Sequence, residues 1–189
     1  MGKRLFDLFF SGLGLLALGP LLLLIALAVK LDSPGPVFFR QERVGRHGRV
    51  FRIHKFRTMS VRPAGEGLQI TVGADARITR SGHFLRATKL DELAQLLDVL
   101  LGDMSLVGPR PERPVFIAQF RKTIPNYMAR HSVKAGITGW AQVNGWRGDT
   151  SLTRRIECDL YYIRHWSYWL DCKILWLTLW RGFIHKNAY

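Results

Sequence analysis

The chain is organised around the stretch Arg86-Ala-Thr-Lys-Leu-Asp91-Glu92-Leu-Ala-Gln-Leu-Leu-Asp-Val-Leu-Leu-Gly-Asp-Met-Ser-Leu-Val-Gly-Pro-Arg110. Apolar residues recur in it at helical spacing, at Leu90, Leu93, Leu97, Leu100, Leu101 and Met104. Thr88 is a residue type that caps helix N-termini, so the pattern predicts an amphipathic helix that begins just after it. This helix carries Asp91 and Glu92 in its first turn, where backbone N–H groups have no helical partner.

Two interpretations of the Asp91-Glu92 pair follow from the residues alone. The structural one is a capping box from Thr88 to Asp91, with Glu92 adding negative charge at the positive end of the helix dipole. The functional one is a carboxylate nucleophile that shares the free N–H donors with an anionic substrate, provided that cations neutralise the crowding. Such cations are present, because Arg86 precedes the pair and Arg110 follows the helix.

The composition indicates one domain with an anionic partner. The chain has 189 residues, is 48% hydrophobic, and carries a formal charge of +14. These values are compatible with a nucleic acid, an anionic membrane surface or a phosphorylated substrate as the partner. The two cysteines, Cys158 and Cys172, form no C-x-x-C motif, so neither a zinc site nor a disulfide framework is indicated.

The N-terminal residues 8–29 form an uncharged, mostly apolar run that is long enough to cross a bilayer as one straight helix. Gly19 and Pro20 lie in its middle and predict a bend or a break, because proline removes a backbone donor. Lys3 and Arg4 precede the run and Lys30 follows it, so both ends favour the cytoplasmic side. A re-entrant helix-break-helix satisfies both constraints; the alternatives are a kinked transmembrane helix and, less favoured, a signal peptide.

Residues 37–45 and 49–59 alternate apolar and basic side chains with a period of two. They predict a β-hairpin that turns near Gly45 to Gly48, with one apolar and one cationic face. The cationic face is either a substrate-binding surface or a solvated edge that discourages aggregation. The glycine-rich residues 62–82 predict a mobile loop that leads to the central helix.

The second half of the chain adds an arginine turn, a glycine-rich segment and two helices. Gly-Pro-Arg110-Pro places Arg110 on a rigid backbone, as a phosphate ligand or as a surface turn residue. In residues 134–148, glycines would let the backbone approach a phosphate that Arg147 clamps. Helices are predicted over residues 151–166 and 167–183. One face of the second carries Trp169, Lys173, Trp176 and Trp180; this face is either a buried aromatic core or, as the lysine favours, a surface in the membrane interface. Asp171 lies between two apolar stretches of that helix and needs a polar partner.

Several motifs together resemble the bacterial sugar transferase family of monotopic polyprenyl-phosphate phosphoglycosyl transferases. They are Leu-Asp91-Glu92-Leu-x-Gln-Leu, the Gly-Asp-Met-Ser-Leu-Val-Gly-Pro-Arg110-Pro run, Lys55-Phe-Arg-Thr-Met, and Gly-Ile-Thr-Gly-x-Ala-Gln142-Val-Asn-Gly with Arg147 close behind. The resemblance implies an α+β, monotopic membrane protein. It divides the chain into a re-entrant membrane helix over residues 1–31 and a cytoplasmic-face catalytic domain over residues 32–189, at the bacterial inner membrane.

The same resemblance implies transfer of a sugar-1-phosphate from a UDP-sugar to undecaprenyl phosphate, with release of UMP, at the first membrane step of exopolysaccharide, O-antigen or glycoconjugate synthesis. Asp91 is then the nucleophile that forms an aspartyl-phosphosugar intermediate, and Glu92 is a metal or proton partner. Mg²⁺, bound by both carboxylates, is the expected cofactor. The candidate substrate-binding and phosphate-binding residues are Lys55, Arg86, Arg110, Gln142, Arg147 and Asp171.

The form of the glycine-rich motif, with Trp146 inserted before Arg147, resembles that of the family members that transfer a hexose-1-phosphate, such as glucose-1-phosphate or galactose-1-phosphate. Membrane lipids are expected partners, nucleic acid is not, and association of two chains is left open. The alternative to an enzyme is a membrane-anchored scaffold, which would leave the Asp91-Glu92 pair without a role. The sequence also leaves open whether it is a natural short form or an excised catalytic domain.

Overall fold

The protein is described here from a computed structural model, which covers residues 2–60, 75–148 and 150–182, without the side chains of residues 181 and 182. The predicted mobile loop therefore lies largely outside the described residues. The helices are α1 (Gly2–Asp32), α2 (Arg80–Thr88), α3 (Gln95–Leu101), α4 (Pro114–Thr123), α5 (Trp140–Val143), α6 (Leu152–Arg164) and α7 (Tyr168–Gly182). The strands are β1 (Phe38–Val44), β2 (Val50–Phe56), β3 (Met104–Val107) and β4 (Ala135–Thr138), and short 3₁₀ turns cover Arg46–Gly48, Leu90–Ala94 and Tyr127–Ser132. The α+β class is as predicted.

The helix α1 continues through Gly19 and Pro20 without a break in its assignment. The prediction of two helices separated at Gly19-Pro20 is therefore wrong in this respect. Proline removes only one N–H donor, and the leucines on both sides of it are strong helix formers, so the hydrogen-bonded helix can continue past it.

Both ends of α1 are attached to the same folded body. Near the first end, Arg4 donates hydrogen bonds to the carbonyls of Val99 and Leu100 at the end of α3. Just beyond the other end, Arg57 donates to the carbonyls of Ser33 and Pro34, at 2.6 and 2.9 Å. These bonds satisfy carbonyls that have no partner within their own helix or turn.

Between its attached ends, α1 presents an apolar surface to the outside. It is the one helix in the described part of the chain that is long and apolar enough to cross a membrane, and only 11% of its most apolar window is buried. Leu16 is 81% exposed and Leu31 is 78% exposed, whereas Ile25 and Val29 pack against the body. An exposed apolar surface of this size favours contact with a membrane.

The predicted β-hairpin is confirmed, with β1 and β2 antiparallel and Phe39 opposite Lys55. Phe51 and Ile53 enter the main core, as expected for the apolar face. The predicted division into one apolar and one cationic face does not hold at the end of β2, because Lys55 lies on the same face as Phe51 and Ile53. A cation therefore points inward where the strand pattern would place an apolar residue.

The main core surrounds a parallel pair of strands, β3 and β4, in which Met104 lies opposite Ala135 and Val107 opposite Thr138. Close backbone contact explains the glycines here. A Cβ atom on Gly136 would lie 2.1 Å from the backbone nitrogen of Gly108. The glycine-rich segment thus includes a strand and a short helix packed on Gly108, so Gly136 and Gly139 serve backbone packing rather than approach to a phosphate. A Cβ atom on Gly145 would meet nothing within 4 Å, and for it the expectation stays a prediction.

We expect Gly136→Ala to lower the free energy of unfolding by about 3 kcal/mol, or to prevent folding, because the backbones of β3 and β4 would have to separate. The matched control is Gly12→Ala on α1, where a Cβ atom meets nothing within 4 Å. Thermal unfolding of both variants in detergent tests this. Equal unfolding midpoints for the two variants would contradict the assigned strand contact.

Candidate active site

The Asp91-Glu92 pair lies on the 3₁₀ turn that precedes α3, and the residues before it differ from the prediction. Thr88 ends α2, and its hydroxyl donates back to the carbonyl of Phe84 at 2.8 Å. It therefore does not cap the next helix, and the capping box is wrong. Lys89 then adopts a left-handed conformation with φ 58°, which turns the chain into the 3₁₀ segment. Both carboxylates still lie in the first turn of a helical segment, as predicted.

Glu92 is held by two cations. Its Oε1 atom accepts from Lys55 Nζ at 2.5 Å and from Arg110 Nη2 at 2.5 Å, and its Oε2 atom accepts from Arg110 Nη1 at 3.1 Å. Burial alone would raise the pKa of Glu92, but Arg110 and Lys55 outweigh it and hold that pKa well below the usual range. Glu92 in turn raises the pKa of Arg110. The carboxylate is therefore ionised and fully paired.

Asp91 differs from its neighbour. Burial raises its pKa to about 6, although Lys55 opposes the shift and Glu92 adds to it. Within the described residues, no hydrogen bond or ion pair occupies its carboxylate oxygens. The two adjacent carboxyl groups are thus separated in role: Glu92 organises cations, whereas Asp91 has its oxygens available for a reaction.

The predicted cations Arg86 and Arg147 also lie within electrostatic range of the pair. Arg86 donates to Thr58 Oγ1 at 3.0 Å, which fixes its guanidinium while it lowers the pKa of Asp91. Burial lowers the pKa of Arg147, with Arg110 as a further cause. This arrangement of cations is suited to an anionic substrate, because the repulsion among the cations falls when an anion binds.

A cavity of about 190 Å³ opens beside Glu92 and includes Lys89, Gln142 and Arg147 in its lining. Gln142 donates from Nε2 to the carbonyl of Ile137 at 3.2 Å, and its buried Oε1 atom has no hydrogen-bond partner. An unsatisfied buried acceptor is costly, so it indicates a position where a ligand donor can bind. Of the predicted binding residues, Lys55, Arg86, Arg110, Gln142 and Arg147 are thus brought together.

Asp171 lies in another cluster. It accepts from Tyr162 Oη at 2.8 Å and from Trp166 Nε1 at 3.2 Å, and it pairs with Lys3 Nζ at 2.8 Å. The predicted need for polar partners is confirmed, but none of these partners contacts Asp91 within the described residues. The expectation that Asp171 belongs to the active site is therefore corrected, because its charge is used to attach α7 to the first turn of α1.

Sequence reasoning missed the residues that position Arg110. Arg130 is buried, pairs with Asp159 at 2.7 Å, and donates from Nη2 to the carbonyl of Arg110 at 2.9 Å. No local motif marks Arg130 or Asp159, because they come from different helical segments. Lys55 did leave a signal, since a lysine in the apolar phase of a buried strand needs a buried partner.

The acidic residues give limited support for a resident metal. The described residues contain no group of three or more His, Cys, Asp or Glu side chains that could hold a metal ion. Glu92 already accepts from two cations, which makes it a poor ligand, so the prediction that both carboxylates bind Mg²⁺ is not supported for Glu92 in this arrangement. Asp91 remains, and one carboxylate with substrate phosphate oxygens and water is a common environment for Mg²⁺.

Together these features define an α+β protein with an exposed apolar helix, whose candidate site combines a half-buried carboxylate with several nearby cations. The sequence pattern of the bacterial sugar transferase family matches residues 1–185, and the chain belongs to that family.

The chain is similar to curated proteins from three bacteria. It is 50% identical to the UDP-glucose:undecaprenyl-phosphate glucose-1-phosphate transferase of Escherichia coli, over 99% of this chain and 41% of that protein. It is 47% identical to a UDP-N-acetylgalactosamine-undecaprenyl-phosphate N-acetylgalactosaminephosphotransferase of Aeromonas hydrophila, over 94% and 42%. A UDP-glucose:undecaprenyl-phosphate glucose-1-phosphate transferase of Caulobacter vibrioides is 46% identical, over 99% and 72%. The chain thus spans about two fifths of the first two relatives.

We expect Asp91→Asn to stabilise the protein at pH 7.5 by about 2 to 3 kcal/mol. The folded pKa of Asp91, about 6, lies above its unfolded value, so ionisation disfavours the folded state. This cost is absent below about pH 4, grows between pH 4 and 6, and is complete above it. Unfolding midpoints of wild type and variant across this range measure it.

The control is Glu157→Gln, which neutralises a carboxylate on α6 in an exposed pair with Arg154. It should change the free energy of unfolding by less than about 0.5 kcal/mol at every pH in this range. A loss of stability in Asp91→Asn at pH 7.5 would show that Asp91 pairs with the surrounding cations rather than opposing burial.

Proposed function

We propose that this chain transfers a sugar-1-phosphate from a UDP-sugar to undecaprenyl phosphate, as a polyprenyl-phosphate phosphoglycosyl transferase. The observation that carries the proposal is the difference between two adjacent carboxylates among shared cations. Glu92 is paired with Lys55 and Arg110, whereas the oxygens of Asp91 accept no hydrogen bond in the described part of the chain. The names of the similar proteins support the substrates.

The chemistry divides into two displacements at one phosphorus atom. A carboxylate oxygen of Asp91 attacks the phosphorus that carries the sugar, the bond from that phosphorus to the bridging oxygen breaks, and UMP leaves with the bonding electrons. A phosphate oxygen of undecaprenyl phosphate then attacks the same phosphorus and releases the Asp91 carboxylate. The product is an undecaprenyl diphosphate sugar. A covalent intermediate lets a soluble donor and a membrane-held acceptor use the site in turn.

The cations take part before and during these displacements. Arg110 and Lys55 are pre-oriented by Glu92, so they need little reorganisation when charge moves from the attacking carboxylate to the leaving UMP. Arg86 and Arg147, which lie within electrostatic range of the carboxylate pair, would contact the remaining phosphate oxygens. Asp91 is ionised above about pH 6, which makes the carboxylate the prevailing form at neutral pH.

Mg²⁺ is part of the proposal as a partner of the bound substrate. Asp91 is the residue that would hold it, with diphosphate oxygens supplying the other ligands. When bound, the ion would neutralise diphosphate charge and so assist the departure of UMP.

Glucose-1-phosphate is the proposed group, on the basis of the two similar proteins named as glucose-1-phosphate transferases. The Aeromonas relative, named for N-acetylgalactosamine, makes an N-acetylhexosamine the second candidate. The buried Oε1 atom of Gln142 is an acceptor near this site, suited to a hydroxyl or amide donor of the substrate.

We further propose that α1 enters the cytoplasmic face of the bacterial inner membrane and returns to it. Its first turn is attached to α3 through Arg4, and its end is attached to the strand region through Arg57. A straight crossing would move one end to the opposite face, away from the body that both ends contact. A bend within the continuous helix at Gly19 and Pro20 is compatible with both attachments.

The catalytic proposal predicts that UDP-glucose labelled in its β-phosphate will label the protein on Asp91 without acceptor lipid, and that undecaprenyl phosphate will discharge the label. Asp91→Asn should form no labelled protein and lose UMP release by at least about 10³-fold. Glu92→Gln should slow labelling and keep it detectable. The protein is held in nanodiscs with Mg²⁺, and a panel of UDP-sugars identifies the donor.

The variant Glu157→Gln is the control and should behave as wild type. UMP release only when both substrates are present, with no labelled protein, would replace the two-step scheme by a direct transfer. No turnover with any sugar in a folded, membrane-bound sample would favour the non-catalytic scaffold.

The topological proposal predicts that cysteines placed at Leu5 and Leu31 react from the same membrane face. Both positions are exposed on α1, at 66% and 78%. The background is Cys158→Ser with Cys172→Ser, and an impermeant maleimide is added to right-side-out and inverted vesicles. Labelling after detergent treatment controls for reactivity. Labelling of the two positions from opposite faces would establish a membrane crossing instead.

A further inference from the structure

A second group of cations lines a cavity at the first turn of α1, which we call the N-terminal cavity. Its volume is about 330 Å³, and its lining includes Lys3, Arg4, Arg46 and Lys134 together with the aromatic residues Tyr162 and Trp166. Asp91, Glu92, Lys55 and Arg110 are not among its lining residues. The N-terminal cavity is therefore separate from the candidate active site.

The N-terminal cavity keeps a positive charge after its internal ion pairs are considered. Lys3 contacts two buried carboxylates, Asp7 at 3.2 Å and Asp171 at 2.8 Å. Asp7 also accepts hydrogen bonds from Ser105 Oγ and the backbone of Leu106. Arg4, Arg46 and Lys134 form no ion pair in the described residues, although Asp103 acts on Lys134 from nearby. Four cations thus face three carboxylates, which leaves a net charge of about +1.

Two of these cations, Arg4 and Lys134, lie close together. Arg4 Nη2 and Lys134 Nζ lie 3.3 and 3.7 Å from the same point, the position of a Cβ atom on Gly102. The guanidinium of Arg4 donates to the backbone carbonyls at the end of α3. The half-buried Lys134 makes no hydrogen bond within the described residues. Burial lowers the pKa of Lys134, and Arg4 lowers it further. An anion bound here would supply the missing acceptor and reduce the repulsion.

The position of the N-terminal cavity indicates where such an anion comes from. Tyr168 packs on Phe6 with ring centroids 6.0 Å apart, next to the cavity residue Trp166. Leu5 and Phe9 on α1 are each 66% exposed, and Trp169 on α7 is 80% exposed. Tryptophan and tyrosine next to exposed apolar residues are typical of the membrane interface, the depth at which lipid phosphates lie.

We propose that the N-terminal cavity binds the phosphate group of an anionic membrane phospholipid, with Lys134 and Arg46 as the direct ligands. Arg46 is exposed and uses only its Nε atom, which donates to the carbonyl of Ser132 at 3.2 Å. Its terminal nitrogens are free to donate in the described structure. The bound lipid would fasten the turn of the hairpin and the start of β4 to the same headgroup, beside the first turn of α1.

The test uses the full chain in neutral detergent micelles, titrated with phosphatidylglycerol or phosphatidylcholine at equal mole fractions. The readout is the thermal unfolding midpoint, which does not depend on catalysis. Phosphatidylglycerol should raise the midpoint more than phosphatidylcholine. The double variant Lys134→Gln with Arg46→Gln should need about tenfold more phosphatidylglycerol for the same shift. High salt should weaken the wild-type effect.

Two control variants separate the cavity from the overall charge. Arg121→Gln with Lys122→Gln removes the same charge from exposed positions on α4 and should respond as wild type. Lys134→Arg with Arg46→Lys retains both charges and should keep most of the response. Equal shifts with both lipids, or an equal loss in the two Gln double variants, would overturn the proposal.

Inorganic phosphate, added without lipid, distinguishes a soluble source of the same chemistry. If millimolar phosphate raises the midpoint through Lys134 and Arg46 while phosphatidylglycerol adds nothing over phosphatidylcholine, the membrane lipid is overturned as the occupant. If phosphatidylglycerol acts through these two residues at concentrations where phosphate has no effect, the lipid assignment stands.

Discussion

The ion pairs of Glu92 hold together the segments that form the candidate active site. Glu92 lies on the 3₁₀ turn before α3, Lys55 on β2, and Arg110 on the rigid turn after β3. One carboxylate thereby fixes three segments, and each depends on the others because losing one partner would leave a buried charge uncompensated. The adjacent carboxylate, Asp91, is placed among the same cations as a consequence. In the described part of the chain its oxygens accept no hydrogen bond, and the cations that Glu92 holds, Lys55 and Arg110, oppose the rise in its pKa that burial causes.

Much of the fold and part of the site could be predicted from local patterns. The period-two alternation located the hairpin, and the helical leucine pattern located the segment that carries Asp91 and Glu92. The predicted N-cap at Thr88 was wrong because a threonine hydroxyl can also donate back to the preceding turn. Thr88 instead ends α2, and its hydroxyl donates to the carbonyl of Phe84. The left-handed backbone at Lys89 has no sequence signal, since a lysine rarely adopts it without support from its surroundings.

Long-range partners were the part that the sequence could not supply. A buried Asp171 needs a polar partner in any fold. Whether that partner is a residue of the candidate active site or Lys3 depends on how α7 packs against α1. The position of Arg110 likewise depends on Arg130, which donates to its carbonyl and which no sequence motif connects to it. The family resemblance pointed to candidate binding residues and gave no information on residues that only position them. Lys55 carried a second signal in the sequence itself, because a lysine in the apolar phase of a buried strand needs a buried partner.

The attachment of α1 has a consequence for how this helix can vary. Near its first end Arg4 donates to the main-chain carbonyls of Val99 and Leu100, and beyond its other end Arg57 donates to those of Ser33 and Pro34. The side chains of Lys3, Asp7 and Asp32 add contacts near the same two ends. Main-chain acceptors are present whatever side chains lie between them. The outward-facing leucines are therefore free to be exchanged for other apolar residues, so the hydrophobic length and shape of the helix can be adjusted to bilayers of different thickness. Membrane adaptation and the geometry of the carboxylate pair can thus change independently of each other.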